Sequence, residues 1–180
     1  LQDRPRLDLQ EHLADLEANG LLVRIDRAIN KDTELHPLVR WQFLGGVPED
    51  KRRAFLFTNV TDAKGRRYDI PVVVGALAAS PEIYAIGMGQ AVENIGDAWM
   101  RAIATPIAPI AVRAPRCQEV VLTGEEVDLG LLPIQRCWPL DPAPFITLPA
   151  VITKDRETGV RNVGMYRMQK IDRRSTFMHW

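Results

Sequence analysis

The stretch Val160–Trp180, "VRNVGMYRMQKIDRRSTFMHW", decides the reading of this chain. Its first half alternates as a β-strand does, with Asn162, Gly164 and Tyr166 on one face and Val163, Met165 and Arg167 on the other. A turn follows at "DRRS", and Thr176–Trp180 opens another strand. Upstream, "FITLPAVITKD" is a matching strand, and "DRETGVR" between the two carries the Asp and Gly of a hairpin turn. An amide at Asn162, a small residue at Gly164 and an arginine with a buried look at Arg167 crowd one strand. Gly there permits a close approach to the backbone. About four antiparallel strands are visible in this half. They do not close a barrel, and the last has an open edge, so the expectation is the front portion of a longer protein.

Working back toward the N-terminus, "CQEVVLTG" reads as a strand and "VDLGLLPIQRCWPLDPAP" as a long irregular loop. "TPIAPIAVRAPR", at 105–116, holds three prolines and reads as an extended linker. Before it the helical period returns. "LDLQEHLADLEANG" is a helix with Asp8 as cap, Leu9, Leu13 and Leu16 on one face, and Asn19-Gly20 as the stop. "LLVRID" is a strand, and Asp32 or Thr33 caps a second helix that buries Leu35, Leu38 and Val39. "AFLFTNV" and "IPVVVGAL" are strands around the turn "DAKGRR". Ser80-Pro81 starts a third helix, and "AVENIGDAWMRAIA" is a fourth that Gly96 interrupts. The expected organisation is an α/β (α+β) domain over 1–105, the linker at 106–116, and β structure over 117–180.

Composition excludes several classes. Of the 180 residues, 23 are Lys or Arg and 23 Asp or Glu, so net charge is zero, which argues against nucleic acid as the main partner. The basic runs Lys51-Arg52-Arg53, Arg66-Arg67 and Arg173-Arg174 are separated and read as solvated turns. No run is long enough for a membrane span and no secretory signal pattern opens the chain, so the default location is cytoplasmic. Cys117 and Cys137 make neither a disulfide framework nor a zinc site and read as reduced, partly buried thiols.

"DLQEHLADLEANGLLVRID" resembles the opening of the UbiD-type decarboxylases, and "LLPIQRCWPLDPAPFITLPAVITKDRETGVRNVGMYRMQKID" resembles the entry into their flavin-binding barrel. The resemblance runs over nearly the whole chain and is strongest at "TKDRETGVRNVGMYRMQ". It implies an N-terminal α/β domain followed by the first strands of a split β-barrel of flavin-reductase type, with a C-terminal α/β domain beyond. It implies reversible decarboxylation of aromatic or α,β-unsaturated carboxylic acids with prenylated FMN, made by a flavin prenyltransferase. It also implies a homo-oligomer at full length.

Residue by residue, Asn162 matches an amide that helps hold Mn2+ or Mg2+ at the cofactor phosphate, with K+ as a further ion. A neutral side-chain oxygen suits a hard cation that shares its shell with phosphate. Met165, Tyr166 and Arg167 match the segment along the flavin. Arg167 matches the arginine of the family's Glu–Arg–Glu network, whose two glutamates are expected beyond Trp180; there it would bind the substrate carboxylate, a task that suits a planar fork, and tune the neighbouring glutamate acid. Thr147, on the preceding strand, matches a residue near the substrate, and His179 and Trp180 match positions near the cofactor. The remaining metal ligands, a His and a Glu, and the acid that protonates the product are expected beyond Trp180, so the 180 residues alone are expected to be inactive. Against this stand blander readings. Asn162 is then a turn residue, Arg167 a strand arginine paired with Asp155 or Asp172, Tyr166 a cross-strand packing residue and His179 an edge histidine. As a whole, the chain is then a non-catalytic flavin-binding or assembly module, or an ordinary flavin reductase. One difficulty is internal to the family reading. Asn162 and Arg167 fall on opposite faces of an ideal strand, and serve one cofactor only if the strand bends or bulges near Gly164.

Overall fold

A computed structural model describes residues 8–178, so the positions of His179 and Trp180 lie outside the described residues. The chain divides into two compact units, each made of several segments.

The first unit holds the residues before Ala28 together with Pro37–Asn59 and Pro71–Val121. Helix α1 (Leu9–Ala18) starts where the Asp8 carboxylate accepts the Glu11 N–H at 3.0 Å. It stops at Asn19, and Gly20 takes a positive φ of 67°. Strand β1 (Leu22–Ile25) follows at once. After β2 (Ile29–Asn30) and α2 (Leu35–Leu44), strand β3 (Ala54–Phe57) lies parallel to β1, and β6 (Val72–Val74), beyond β4 and β5, lies antiparallel to β3. Leu16 and Ile83 are fully buried, and with Leu21, Ala54, Ala76 and Ala79 they form the core. Leu13 packs against it, but Leu9 is half exposed, so the inward face of α1 begins later than its leucine spacing suggests. Helix α3 (Pro81–Met88) has Ser80 as cap, its hydroxyl accepting the Ile83 N–H, and contacts α1. Gly96 does not interrupt the fourth helix. α4 (Ile95–Ala104) begins at Ile95 after a short 3-10 turn, Val92–Asn94, so Gly96 lies in its first turn, where backbone N–H groups need no helical partner. In α2, Leu35 and Val39 are buried as expected while Leu38 is exposed.

The second unit comprises Ala28–His36, Val60–Ile70 and the residues from Leu122 onward. A small sheet joins β2 parallel to β4 (Val60–Thr61), and β4 antiparallel to β5 (Arg67–Tyr68). Asp32 caps no helix here. Its carboxylate takes the Lys31 ammonium at 2.6 Å and the backbone N–H of Arg136 and Ala63. That pairing is what allows Lys31 to be buried. "CQEVVLTG" is not a strand: 3-10 turns at Arg116–Gln118 and Gly124–Glu126 flank an exposed Val120-Val121-Leu122.

Strands β7 (Phe145–Ile146), β8 (Ala150–Lys154), β9 (Arg161–Met165), β10 (Met168–Lys170) and β11 (Thr176–Met178) complete this unit. β8 and β9 form the expected hairpin, with Thr153 opposite Asn162 and Val151 opposite Gly164. Its turn is held by Asp155, whose carboxylate accepts the N–H groups of Glu157 and Thr158, and by Gly159 at φ 71°. Both long strands of the sequence reading are broken. β10 leaves β8 and pairs instead with β7 and β11. Ala150 pairs with Met165 and Ile146 with Met168, so residues 147–149 on one strand face 166–167 on the other. The extra residue makes a bulge-like mismatch, which bends paired strands.

Candidate functional site

Of the residues expected at the site, Thr147, Asn162, Met165, Tyr166 and Arg167 lie at or beside that break. Asn162 lies in β9 with its side chain exposed. Its amide Nδ2 donates to the Tyr166 hydroxyl at 3.2 Å, which leaves the carbonyl oxygen Oδ1 without a partner among the described residues. Tyr166 folds back over Gly164. A Cβ built on Gly164 would lie 2.6 Å from Tyr166 Cε2. Gly164 has no positive φ, so it is the approaching ring, not the backbone angle, that a side chain here would have to displace. Met165 is exposed at the end of β9. Thr147 is not on a strand. It is exposed just past β7, at the mismatch.

Arg167 departs most from the sequence reading. Its side chain is not buried but 44% exposed. Its partner is neither Asp155 nor Asp172. The Nη2 group meets Asp141 Oδ2 at 3.4 Å, and the guanidinium carbon stands 3.9 Å from the centre of the Phe145 ring. A cation over an aromatic face at that distance is attracted by the ring quadrupole. Asp141 is itself fixed, since it accepts the Trp138 N–H at 3.1 Å and is only 14% exposed. Beside them sits Cys137, half-buried. Burial pushes its thiol pKa up, Arg167 pulls it down and Asp141 pushes it up again. Cys117 is exposed, not partly buried. No hydrogen bond or ion pair joins Asn162 to Arg167. The first turns toward Tyr166 and the second toward Asp141.

Asp141, Phe145 and Cys137 were missed as neighbours of Arg167. Asp141 lies 26 residues away in an irregular loop, and no local pattern links the two. The only signal for the break was Pro149, since proline cannot donate to a ladder and seldom lies inside a continuous strand.

The free Oδ1 of Asn162 is chemically suited to a hard divalent cation. The described residues contain no group of three or more His, Cys, Asp or Glu side chains arranged to hold a metal ion. His12 is spent in the core, where its Nε2–H donates to the Ala76 carbonyl at 2.6 Å, and His36 packs edge-on against Trp138. The basic runs have structural partners: Arg52 lies over Phe43, Arg66 over Tyr68, and Arg174 pairs with Glu125. No described helix is long and apolar enough to cross a membrane.

The fold superposes on the UbiD-class enzyme HmfF from Pelotomaculum thermopropionicum in complex with FMN, with a TM-score of 0.78 and 29% identity, over 96% of this chain and 36% of that one. An evolved dimeric form of the same enzyme, in complex with prFMN, gives 0.82 and 28% over 97% and 38%. The 3,4-dihydroxybenzoic acid decarboxylase of Enterobacter cloacae, in its apo form, gives 0.81 and 26% over 98% and 37%. The chain therefore spans 36–38% of the length of these relatives. It has their mixed α/β N-terminal region followed by the first strands of the split barrel. Residues 110–180 match the 3-octaprenyl-4-hydroxybenzoate carboxy-lyase Rift-related domain. Residues 13–103 match the N-terminal domain of the same carboxy-lyase, and with half the chain so matched it belongs to the UbiD family of decarboxylases.

Proposed function

We propose that this chain is the N-terminal portion of a prenylated-FMN-dependent, non-oxidative and reversible decarboxylase of aromatic or α,β-unsaturated carboxylic acids. The observation that carries the reading is the broken β9–β10 strand of a UbiD-family chain. It presents a free amide oxygen at Asn162 and an accessible guanidinium at Arg167 within six residues. When bound, prenylated FMN supplies an electron sink for the carbon that loses its carboxylate.

The chain's own residues do the rest. Asn162 Oδ1 would contribute one neutral ligand to Mn2+ or Mg2+ at the cofactor phosphate, with K+ as a further ion, and the remaining ligands would come from beyond the described residues. Met165 and Tyr166 would line the flavin, and Tyr166 also orients the Asn162 amide. Arg167 receives the substrate carboxylate on its exposed edge and stays charged at any working pH. Thr147, at the strand mismatch, faces substrate. His179 and Trp180, outside the described residues, are assigned to the cofactor. The 180 residues alone are inactive. The full-length enzyme is a cytoplasmic homo-oligomer that takes its cofactor from a flavin prenyltransferase.

The test is made in the full-length enzyme, co-produced with a flavin prenyltransferase. R167A is expected to keep flavin and lose turnover. N162A is expected to lose flavin and metal together. An R167A enzyme with parental turnover removes Arg167 from the mechanism, and an N162A enzyme with full flavin occupancy removes Asn162 from the metal site.

A further inference from the structure

We propose that Asp32 is a positioning residue for the site, an enclosed carboxylate that fixes the backbone at Arg136 and, through it, strand β7 at the edge of the strand break. The inference rests on the proposed function only for its effect on turnover. The anchor itself stands on contacts that the fold already makes.

Asp32 is itself held in place. Its N–H donates to the Asn30 side-chain oxygen at 2.8 Å, and the Lys31 N–H beside it donates to the Thr61 carbonyl at 2.8 Å. The side chains of Lys31 and Asp32 are 5% and 18% exposed, and their ion pair is 2.6 Å long. Lys31 Nζ also stands 5.8 Å from the centre of the Tyr68 ring, within reach of its quadrupole. From this fixed base, Asp32 Oδ1 accepts the Arg136 N–H at 3.2 Å, across 104 residues of chain. The neighbouring carbonyl, that of Gln135, accepts the Phe145 N–H at 3.0 Å, and the Pro144 carbonyl accepts the Lys170 N–H at 2.9 Å. β7 pairs Ile146 with Met168 of β10, so this corner carries the ladder in which the chain resumes after Arg167. A second contact joins the same segments: the His36 and Trp138 rings meet edge-on, with centroids 5.6 Å apart.

A buried ion pair is a poor source of net stability, because desolvation offsets most of the attraction. What this pair supplies is a placed oxygen. The Arg136 N–H lies in an irregular loop with no ladder to fix it, and buried backbone donors need an acceptor. Lys31 neutralises the carboxylate that provides one, so that the carboxylate can stay enclosed. The anchor does not reach Asn162, which the β8–β9 ladder fixes opposite Thr153. Loss of the anchor is therefore expected to displace the Thr147 and Arg167 side of the break and to spare the Asn162 side.

The test is made in the full-length enzyme, co-produced with a flavin prenyltransferase, and compares K31M/D32N with K31M/D32L. Both remove the two charges together, so neither leaves a buried ion unpaired. Asn keeps an oxygen for the Arg136 N–H, and Leu does not. K31M/D32L is expected to keep its flavin and to lose kcat about tenfold, the cost of a small misplacement of reacting groups, while K31M/D32N keeps roughly half or more of the parental kcat. Parental kcat in K31M/D32L, or an equal loss in the two variants, overturns the proposal. Loss of flavin from K31M/D32L alone also overturns it, because the anchor would then act on the Asn162 side of the break.

Amide hydrogen exchange in the same full-length proteins reads the anchor without turnover. The Phe145 and Lys170 amides are expected to exchange roughly fivefold faster in K31M/D32L than in K31M/D32N, with the β8–β9 amides unchanged. Equal exchange at Phe145 in the two variants overturns the anchor. If K31M/D32L fails to fold, D32E takes its place. It keeps a charge for Lys31 but carries its oxygens farther from the main chain, and parental exchange at Phe145 in D32E likewise overturns the anchor. Should the parental enzyme decarboxylate none of the proposed acids, the proposed function fails, and the exchange comparison still upholds or overturns the anchor by itself.

Discussion

Replacement of Gly164 by Ala tests the geometry of the strand break most directly, because its sign depends on one neighbour. The new Cβ would lie 2.6 Å from Tyr166 Cε2, 3.0 Å from Cζ and 3.1 Å from the hydroxyl. Those atoms are the far end of a side chain, so the ring yields before the backbone does. Moving it breaks the Asn162–Tyr166 hydrogen bond, worth about 1 kcal/mol. If it uncovers about 40 Å² of ring, it costs a further ~1 kcal/mol. Against this, Ala in place of Gly in a strand interior gains roughly 0.5–1 kcal/mol of backbone entropy. The net is a destabilisation of about 1 kcal/mol, or roughly 2–4 °C in Tm for a chain of this size. Urea denaturation of G164A measures it. The sharper test is the same step in a Y166A background, where the clash is gone and only the entropy gain remains. There G164A is expected to be neutral or stabilising. A loss of more than about 3 kcal/mol in the parent, or an unchanged loss in Y166A, would mean that the backbone pays the strain and that the ring does not define the site.

Three further outcomes follow from the same structure. L16A removes a fully buried core side chain and is expected to cost ~2–5 kcal/mol by urea denaturation, while L9A, on the exposed start of the same helix, stays within ~0.5 kcal/mol. Gln42, nearly buried, donates to the Arg53 carbonyl at 2.8 Å and accepts its N–H at 2.9 Å. Q42L orphans both groups and is expected to cost about 2–4 kcal/mol, against under 1 kcal/mol for the exposed Q10L control. Burial pushes the Asp62 carboxyl up, but the N–H groups of Arg66 and Lys64, the Tyr68 hydroxyl and the Lys31 charge more than offset it, and its pKa lies below the ordinary aspartate value. A depressed folded pKa means stability that is present above the unfolded value and lost as pH falls through the folded one. The stability gap between parent and D62N is therefore expected to hold from pH 7 to about 5 and to shrink below about pH 4. A gap unchanged at pH 3 would contradict this assignment.

What the sequence made legible was local. Asp8, Ser80-Pro81 and Asn19-Gly20 carry their capping chemistry within four residues, and each caps or stops a helix as read. The hairpin was legible for the same reason, since Asp155 and Gly159 fix its turn between two alternating runs. The strands β2, β4 and β5 were not separable. Each is two residues long, too short for a period to show. "CQEVVLTG" misled in the opposite direction, because β-branched residues favour strands only where a neighbouring strand exists, and Val120 and Val121 remain exposed. Leu9 and Leu38 likewise have core spacing without core contact. The site fell between these cases. Asn162, Tyr166 and Arg167 were singled out through a family motif, while Asp141 and Phe145 come to Arg167 only through tertiary folding.

The strand break also removes one obstacle to a shared site, the alternation of side chains along a continuous strand. In a continuous strand, Asn162 and Arg167 would point to opposite faces, and the β8 ladder would fix both. The ladder does fix Asn162, which pairs with Thr153. It releases the chain after Met165, and β10 is fixed anew by β7 and β11. Tyr166 and Arg167 thus lie between two ladders and belong to neither, so the period of two that forbids a common site no longer applies across them. Their side chains are set by tertiary partners instead: Tyr166 by Gly164 and Asn162, Arg167 by Phe145 and Asp141. This makes a prediction about the other strand. If the extra residue among 147–149 creates the break, deleting Leu148 should let the ladder run through and turn Arg167 away from Asp141 and Cys137, so that the thiol loses the cation that favours its thiolate and reacts more slowly with iodoacetamide at fixed pH. A parental alkylation rate in the deletion would show that the contacts of Arg167, and not the register mismatch, hold the strand open.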